Sequence, residues 1–281
     1  IEDVRHHHRA QRQAQTSSRE PAVVTVSTAG RAMAAVTVEV SNLGAAPANV
    51  SARVAVTGPT TAASAAVSTA AAATSVSTPV LIQPNTTATL AVNVTLGGGG
   101  GAGAGAVLLW SPDAPHLYTA NVSIVQTTSA RSSSNGDGDG VGGIDSNEQV
   151  APALAVPMQA VVDTLTTSFG VRFISANAST GFLLNGIRTK LYGGCAHHGN
   201  GPLGSMAVRK AEERKVLTMK RAGYNALRTS HNPPSVELLE ACDKFGMLVM
   251  DEAFDCWAQG KNPQDYHLYF NDWWQRDLAV M

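Results

Sequence analysis

Along the first 165 residues, apolar and polar positions alternate singly in short runs. Residues 23–26, 35–40, 49–56, 89–96 and 118–125 place Val, Leu, Ile or Ala at every second position, with mostly Thr, Ser or Asn between. Period two is the side-chain repeat of a strand with one buried face, so these runs predict antiparallel strands. Several of them separated by turns predict an immunoglobulin-like β-sandwich. Three biased inserts interrupt the pattern: 60–78 is rich in Ala, Ser and Thr, 97–105 is nearly all Gly, and 129–143 mixes Ser, Gly and Asp. Such segments bury too little apolar surface to offset the entropy of ordering them, so mobile loops are expected there.

Beyond residue 165 the period changes. Residues 190–194 read as a short strand. Residues 208–222 read as a charged helix, with Val216, Met219 and Ala222 three apart and Gly223 placed to end it. A second strand follows at 225–229. Pro233 and Pro234 then introduce a helix with Leu238, Leu239, Cys242 and Phe245 on one face, closed by Gly246. Residues 247–250 are almost continuously apolar, as a buried parallel strand should be. Strand, helix, strand, helix, strand is a βαβ series, which opens either a doubly wound sheet or a (β/α)₈ barrel.

Composition narrows the partners. The net charge is −1, and neither a basic patch nor a basic amphipathic helix is present, so no nucleic acid or membrane surface is expected as a partner. No run of about eighteen apolar residues could span a bilayer. The glycine-rich insert lacks the GxxxxGK[ST] or GxGxxG spacing of a phosphate cradle. Cys195, Cys242 and Cys256 are scattered, so neither a disulfide framework nor a zinc site is expected, and buried free thiols are. His6, His7 and His8 sit in a polar leader and read as solvated. The chain starts at Ile1 and stops at Met281 inside what reads as a helix, so both ends look like cuts. Five Asn-x-Ser/Thr sequons, at Asn49, Asn85, Asn93, Asn121 and Asn177, lean towards a secretory history; compartment and oligomeric state are otherwise open.

In parallel α/β architectures, functional groups collect at the carboxyl ends of strands. The first strand runs into Cys195, His197, His198, Gly199 and Asn200. The second ends at Arg228, His231 and Asn232, and the third at Asp251, Glu252, Asp255 and Trp257. Hydrogen-bonding groups of this variety beside an aromatic wall suit a hydroxyl-rich ligand such as a sugar. They suit a metal poorly, because no HExxH occurs; no cofactor or metal is expected. Asp251 and Glu252 are strand neighbours that point to opposite faces, so they do not form the paired carboxylates of a glycosidase. Glu212, Glu213, Glu237 and Glu240 lie on helices, where solvated positions are expected.

These strand ends resemble glycoside hydrolase family 2, which includes β-galactosidases and β-glucuronidases. The motifs are Phe169–Arg172, Phe182–Gly186, Gly193–Gly204, Leu217–Pro233 and Cys242–Trp257, with Trp110–Tyr118 similar to the last-strand motif of the family's immunoglobulin-like domain. The resemblance implies an immunoglobulin-like sandwich over 21–164 after a disordered leader (1–20), then the amino-terminal part of a TIM barrel over 165–281. It implies retaining hydrolysis of β-galactoside-type substrates by two glutamates expected beyond Met281, so no catalytic residue in this chain. Arg228 matches the arginine that supports the nucleophile. His198, His231, Asn232, Asp251, Glu252 and Trp257 are the expected substrate-binding residues. Related members usually carry an aspartate where Gly199 stands. The alternative is an inactive carbohydrate-binding or structural sandwich with a degenerate barrel remnant.

Overall fold

A computed structural model of the chain describes residues 15–16, 23–26, 32–59, 73–97, 107–128 and 158–281. Its first part packs two antiparallel sheets around one core. In one sheet, β3 (Ala32–Asn42) pairs along its length with β7 (Thr86–Leu96), while the short strands β1 (Gln15–Thr16) and β2 (Val23–Val26) also pair with β3. The other sheet runs in the order β5 (Ala73–Val76), β4 (Ala48–Thr57), β8 (Leu117–Thr128), β9 (Met158–Gly170), with β6 (Val80–Ile82) also on β4. All five alternating runs of the sequence are strands. Their apolar positions form the core: Val36, Val38 and Val40 of β3 lie in one cluster with Val54 and Val56 of β4 and Ile124 of β8. Burying each such side chain contributes about 1.5–3 kcal/mol.

Two features depart from the sequence reading. Ala73–Val76, inside the expected mobile insert, is strand β5, with Arg53 opposite Val76 and Val56 opposite Ala73. Thr and Val in that stretch suit a pleated edge as well as their neighbours do, so composition hid the strand. Strand β9 remains paired with β8 as far as Gly170 opposite Leu117, past the expected boundary at 164. The other insert residues, including His6 to His8 of the leader, lie outside the described residues except Gly97, Ser77 and Thr78.

A small antiparallel sheet of β10 (Ile174–Asn177), β11 (Gly181–Leu184) and β12 (Ile187–Arg188) connects to the second part. There β13 (Gly193–Ala196), α1 (Arg209–Arg221), β14 (Ala226–Thr229), α2 (Val236–Phe245) and β15 (Leu248–Met250) form three parallel strands with crossover helices, followed by α3 (Phe270–Val280). The strands lie in the order β13-β14-β15, with Gly194 beside Leu227 and Leu227 beside Val249. The sheet is open; no closed barrel exists among the described residues. Its first strand begins three residues later than expected from 190. A Cβ on Gly193 would collide with the Ala226 carbonyl, so close strand pairing starts where glycine permits it. Ser235 caps α2 by accepting the Leu238 amide at 3.2 Å, and Gly246 ends it with φ 76°.

Strand parity sorts the sheet's faces. Leu227 and the half-buried Val249 pack with Val216, Leu238 and Cys242 of the helices. Ala226 and Leu248 point the other way and pack with Leu184 and Trp110, the latter from the sandwich. Trp110 is 1% exposed, its indole N–H donates to the Asp243 carbonyl at 2.8 Å, and its own carbonyl accepts from Asn185 Nδ2. The Arg172 guanidinium lies over the ring at 4.7 Å. One sandwich residue thus closes the amino end of the sheet and satisfies a carbonyl in the last turn of α2.

Candidate functional site

Residues alternate inward and outward along β13, β14 and β15, and the alternation decides what meets at their carboxyl ends. Arg228 and Glu252 point to the same side and form an ion pair. His231 joins them: its Nδ1 lies 3.0 Å from Arg228 Nη2 and 3.2 Å from Glu252 Oε2. This nitrogen can accept from the guanidinium or, when protonated, donate to the carboxylate, but not both at once. The peptide between Ser230 and His231 is cis. Asp251 turns to the other side and accepts the Thr229 hydroxyl at 3.0 Å, while Thr229 Oγ1 accepts the Glu252 amide at 2.8 Å. Partial burial raises the Asp251 carboxyl above its usual value, and hydrogen bonds from Thr229 and the Glu252 amide partly offset this. The two adjacent acids therefore hold different partners, Thr229 for Asp251 and Arg228 for Glu252.

The first loop distributes its histidines differently from the sequence expectation. His198 Nε2 lies 3.0 Å from Asn232 Oδ1, so these two expected site residues form a pair of their own. His197, which is not among the expected substrate-binding residues, sets its ring edge-on to His231 with centroids 5.5 Å apart. Counting by twos from Gly193 through Cys195 reaches His197, so parity was the signal that could have found it. The same count explains why Cys195 is exposed in the open sheet, against the expectation of burial; Cys242 and Cys256 are buried. Burial pushes the Cys242 thiol up to about 12. Gly199 has no atom within 4 Å of where a Cβ would stand.

Two helix acids expected in solvent are buried: Glu212 is 3% and Glu213 9% exposed. Glu212 accepts from Asn200 Nδ2 at 2.7 Å and pairs with Lys215 at 2.9 Å, and Lys215 donates to the His197 carbonyl at 3.4 Å. Glu213 is held by Lys210 and Lys244, which lower its pKa to about 2. Burial of a charge is tolerated where partners of this kind surround it. Helix α1 therefore anchors the first loop through hydrogen bonds from its Glu212–Lys215 ion pair, which the sequence pattern did not mark.

An open cleft of about 1000 Å³ lies beside the strand ends, lined by Arg228, His231, Asp251, Glu252, Asp255, Trp257 and Lys261 among others. Asp255 accepts from Lys261 Nζ at 2.6 Å; that bond lowers the pKa of Asp255 and raises that of Lys261. Trp257 is 67% exposed and stacks on Phe270, which stacks on Trp274. Arg228, His231, Asp251, Glu252 and Trp257 thus share one cleft, while His198 and Asn232 pair outside its lining. No group of three His, Cys, Asp or Glu among the described residues is arranged to hold a metal.

Two family models match the chain: "Glycosyl hydrolases family 2" over residues 22–134, and "Glycosyl hydrolases family 2, TIM barrel domain" over 177–263. The chain belongs to glycosyl hydrolase family 2. It is 39% identical over 170 residues to the Beta-galactosidase BoGH2A of Bacteroides ovatus, a match covering 60% of this chain and 16% of that protein. A Putative beta-glucuronidase of Formosa agariphila is 36% identical over 171 residues, covering 60% of this chain and 13% of its own length. Among solved structures, a family 2 member from Bacteroides cellulosilyticus superposes with a TM-score of 0.65 at 33% identity, covering 92% of this chain and 27% of that one. The chain thus spans well under a third of these relatives.

Proposed function

We propose that this chain supplies the sugar-holding, nucleophile-supporting half of a retaining glycosidase that cleaves β-galactoside-type substrates. The sandwich is of immunoglobulin-like type in this reading, and β13 to β15 are the first strands of a (β/α)₈ barrel. One observation carries the reading: Arg228, His231 and Glu252 converge at the carboxyl ends of parallel strands, beside a cleft walled by Trp257. Retaining hydrolysis needs two carboxyls about 5 Å apart, one as nucleophile and one as acid/base. In this reading both come from strands after β15. Arg228 would give charge-assisted bonds that hold the nucleophile ionised and aimed. Glu252 and His231 hold Arg228 and offer the polar contacts that sugar hydroxyls require.

A neutral sugar fits the cleft better than a uronic acid. Its cations Arg228 and Lys261 are already paired, with Glu252 and Asp255. A uronate would have to displace one of those carboxylates. Calorimetric titration of this chain with methyl β-galactoside and methyl β-glucuronide tests the reading. Galactoside affinity on the order of millimolar, weaker glucuronide binding, and loss of both in Arg228→Ala are expected. Galactoside binding untouched by Arg228→Ala would instead support a carbohydrate-binding sandwich. No binding of either sugar would overturn the assignment of this cleft.

A further inference from the structure

Charge is scarce among the described residues of the sandwich. Among its described residues only Glu39, Arg53, Asp113 and Asp163 are formally charged, whereas α1 alone carries eight such residues over 209–221. Strand β7 makes the contrast sharpest. It pairs with β3 alone among the described residues, and none of these residues pairs with its other edge over the eleven positions. That edge contains no Lys, Arg, Asp, Glu or Pro, the devices that normally prevent edge-to-edge pairing. In its middle stands Asn93, exposed and followed by Val94 and Thr95.

All five sequon asparagines are exposed: Asn49, Asn93 and Asn121 on strands, Asn85 at a turn with φ 56°, and Asn177 in an Asx turn. Their Nδ2 atoms make no hydrogen bond within the described protein. Asn121 and Asn177 use only Oδ1, accepting from Thr166 and from the Ser179 and Thr180 segment. Four of the seven described asparagines outside sequons use Nδ2 in the fold. Asn42, Asn185, Asn200 and Asn225 each donate Nδ2 to a carbonyl that holds a turn or junction. None of the five sequon asparagines is used in this way, so each leaves Nδ2 free for modification among the described residues.

We propose that the sandwich is a carrier of N-linked oligosaccharide, with the glycan on Asn93 guarding the β7 edge. The donor class is an oligosaccharide on a lipid diphosphate. The Asn Nδ2–C1 bond forms, the C1–O bond to the diphosphate breaks with the electron pair leaving on oxygen, and the amide gives one proton to the transferase. The hydroxyl two residues on is read in the unfolded chain, so the burial of Ser51 does not exclude Asn49. A hydrated glycan at Asn93 would occlude the edge sterically where its exposed side chains carry no charge to do so.

The test is to pass the whole chain through a eukaryotic secretory pathway and digest it with peptide:N-glycosidase in heavy-oxygen water. Labelled aspartate at Asn93 and a mobility shift that collapses on digestion are expected. Asn93→Gln and Thr95→Ala should each remove one glycan and lower the monomer fraction several-fold by light scattering. Thr95→Ser, which keeps the sequon, should restore both. A secreted chain unmodified at Asn93, or an Asn93→Gln protein as monomeric as the parent, would overturn the proposal.

Discussion

At the amino end of the three-stranded sheet, Trp110 is 1% exposed, packed on Leu184, Ala226 and Leu248 and bonded to the end of α2. At the carboxyl end, 10 Å or so further along strands of this length, Arg228, His231 and Glu252 stand partly exposed around an open cleft. The same strands carry both. One end is set by packing, where a missing methyl group is felt. The other is set by ion pairs and hydrogen bonds among partly exposed groups, where stability should depend little on any one residue but the proposed sugar binding on all. On the proposed function, stabilising the fold and holding a ligand are separable demands on one short sheet.

Breaking the sealed end should produce the largest effect. Trp110→Ala removes a fully buried aromatic and leaves the Asp243 carbonyl without its donor; a loss of about 3–5 kcal/mol is expected, read as a lowered melting temperature. Gly246→Ala comes next. Its φ of 76° and the collision of a Cβ with the Pro112 carbonyl predict a cost of about 1–3 kcal/mol by urea denaturation. Arg228→Ala should cost about 1 kcal/mol or less, because its pair with Glu252 is partly exposed, yet should abolish sugar binding. That inversion of stability against function is the sharpest form of the comparison.

Acid separates the flank joining α1 to α2 from both ends. Glu213 has a folded pKa of about 2 against an ordinary 4.5, so its contribution is fully present above pH 4.5 and is lost as pH falls towards about 2. Glu213→Gln should flatten the stability–pH curve in that window, as followed by circular dichroism. The smallest effect is expected at Gly199→Asp, since nothing lies within 4 Å of its Cβ. Stability should change by no more than about 0.5 kcal/mol, while galactoside affinity rises if the added carboxylate reaches a sugar hydroxyl.

Much of this was legible in the sequence where one simple periodicity operates. Five of the nine described sandwich strands and both crossover helices followed from alternation, glycine and proline. The polar strand ends followed from where strands stop. What escaped were properties set by contacts between elements. Glu212 and Glu213 read as solvated because nothing local marks Asn200, Lys210 or Lys244 as their partners. Strand β5 was hidden in an insert whose composition resembles a loop. Trp110 was recognisable as a motif residue, but its place beneath a sheet assembled more than eighty residues later was not. The assignment of His198 rather than His197 to the neighbourhood of His231 followed a resemblance, where parity from Gly193 favoured the other.

The central claim is that the carboxyl end receives the ligand and the amino end does not. Ring-proton and indole NMR of the chain during titration with methyl β-galactoside addresses it in one experiment. Shifts are expected in the His197 and His231 rings and the Trp257 indole, with the Trp110 indole unmoved. Shifts at Trp110 matching those at His231, or silence at both histidines while the sugar binds, would contradict it.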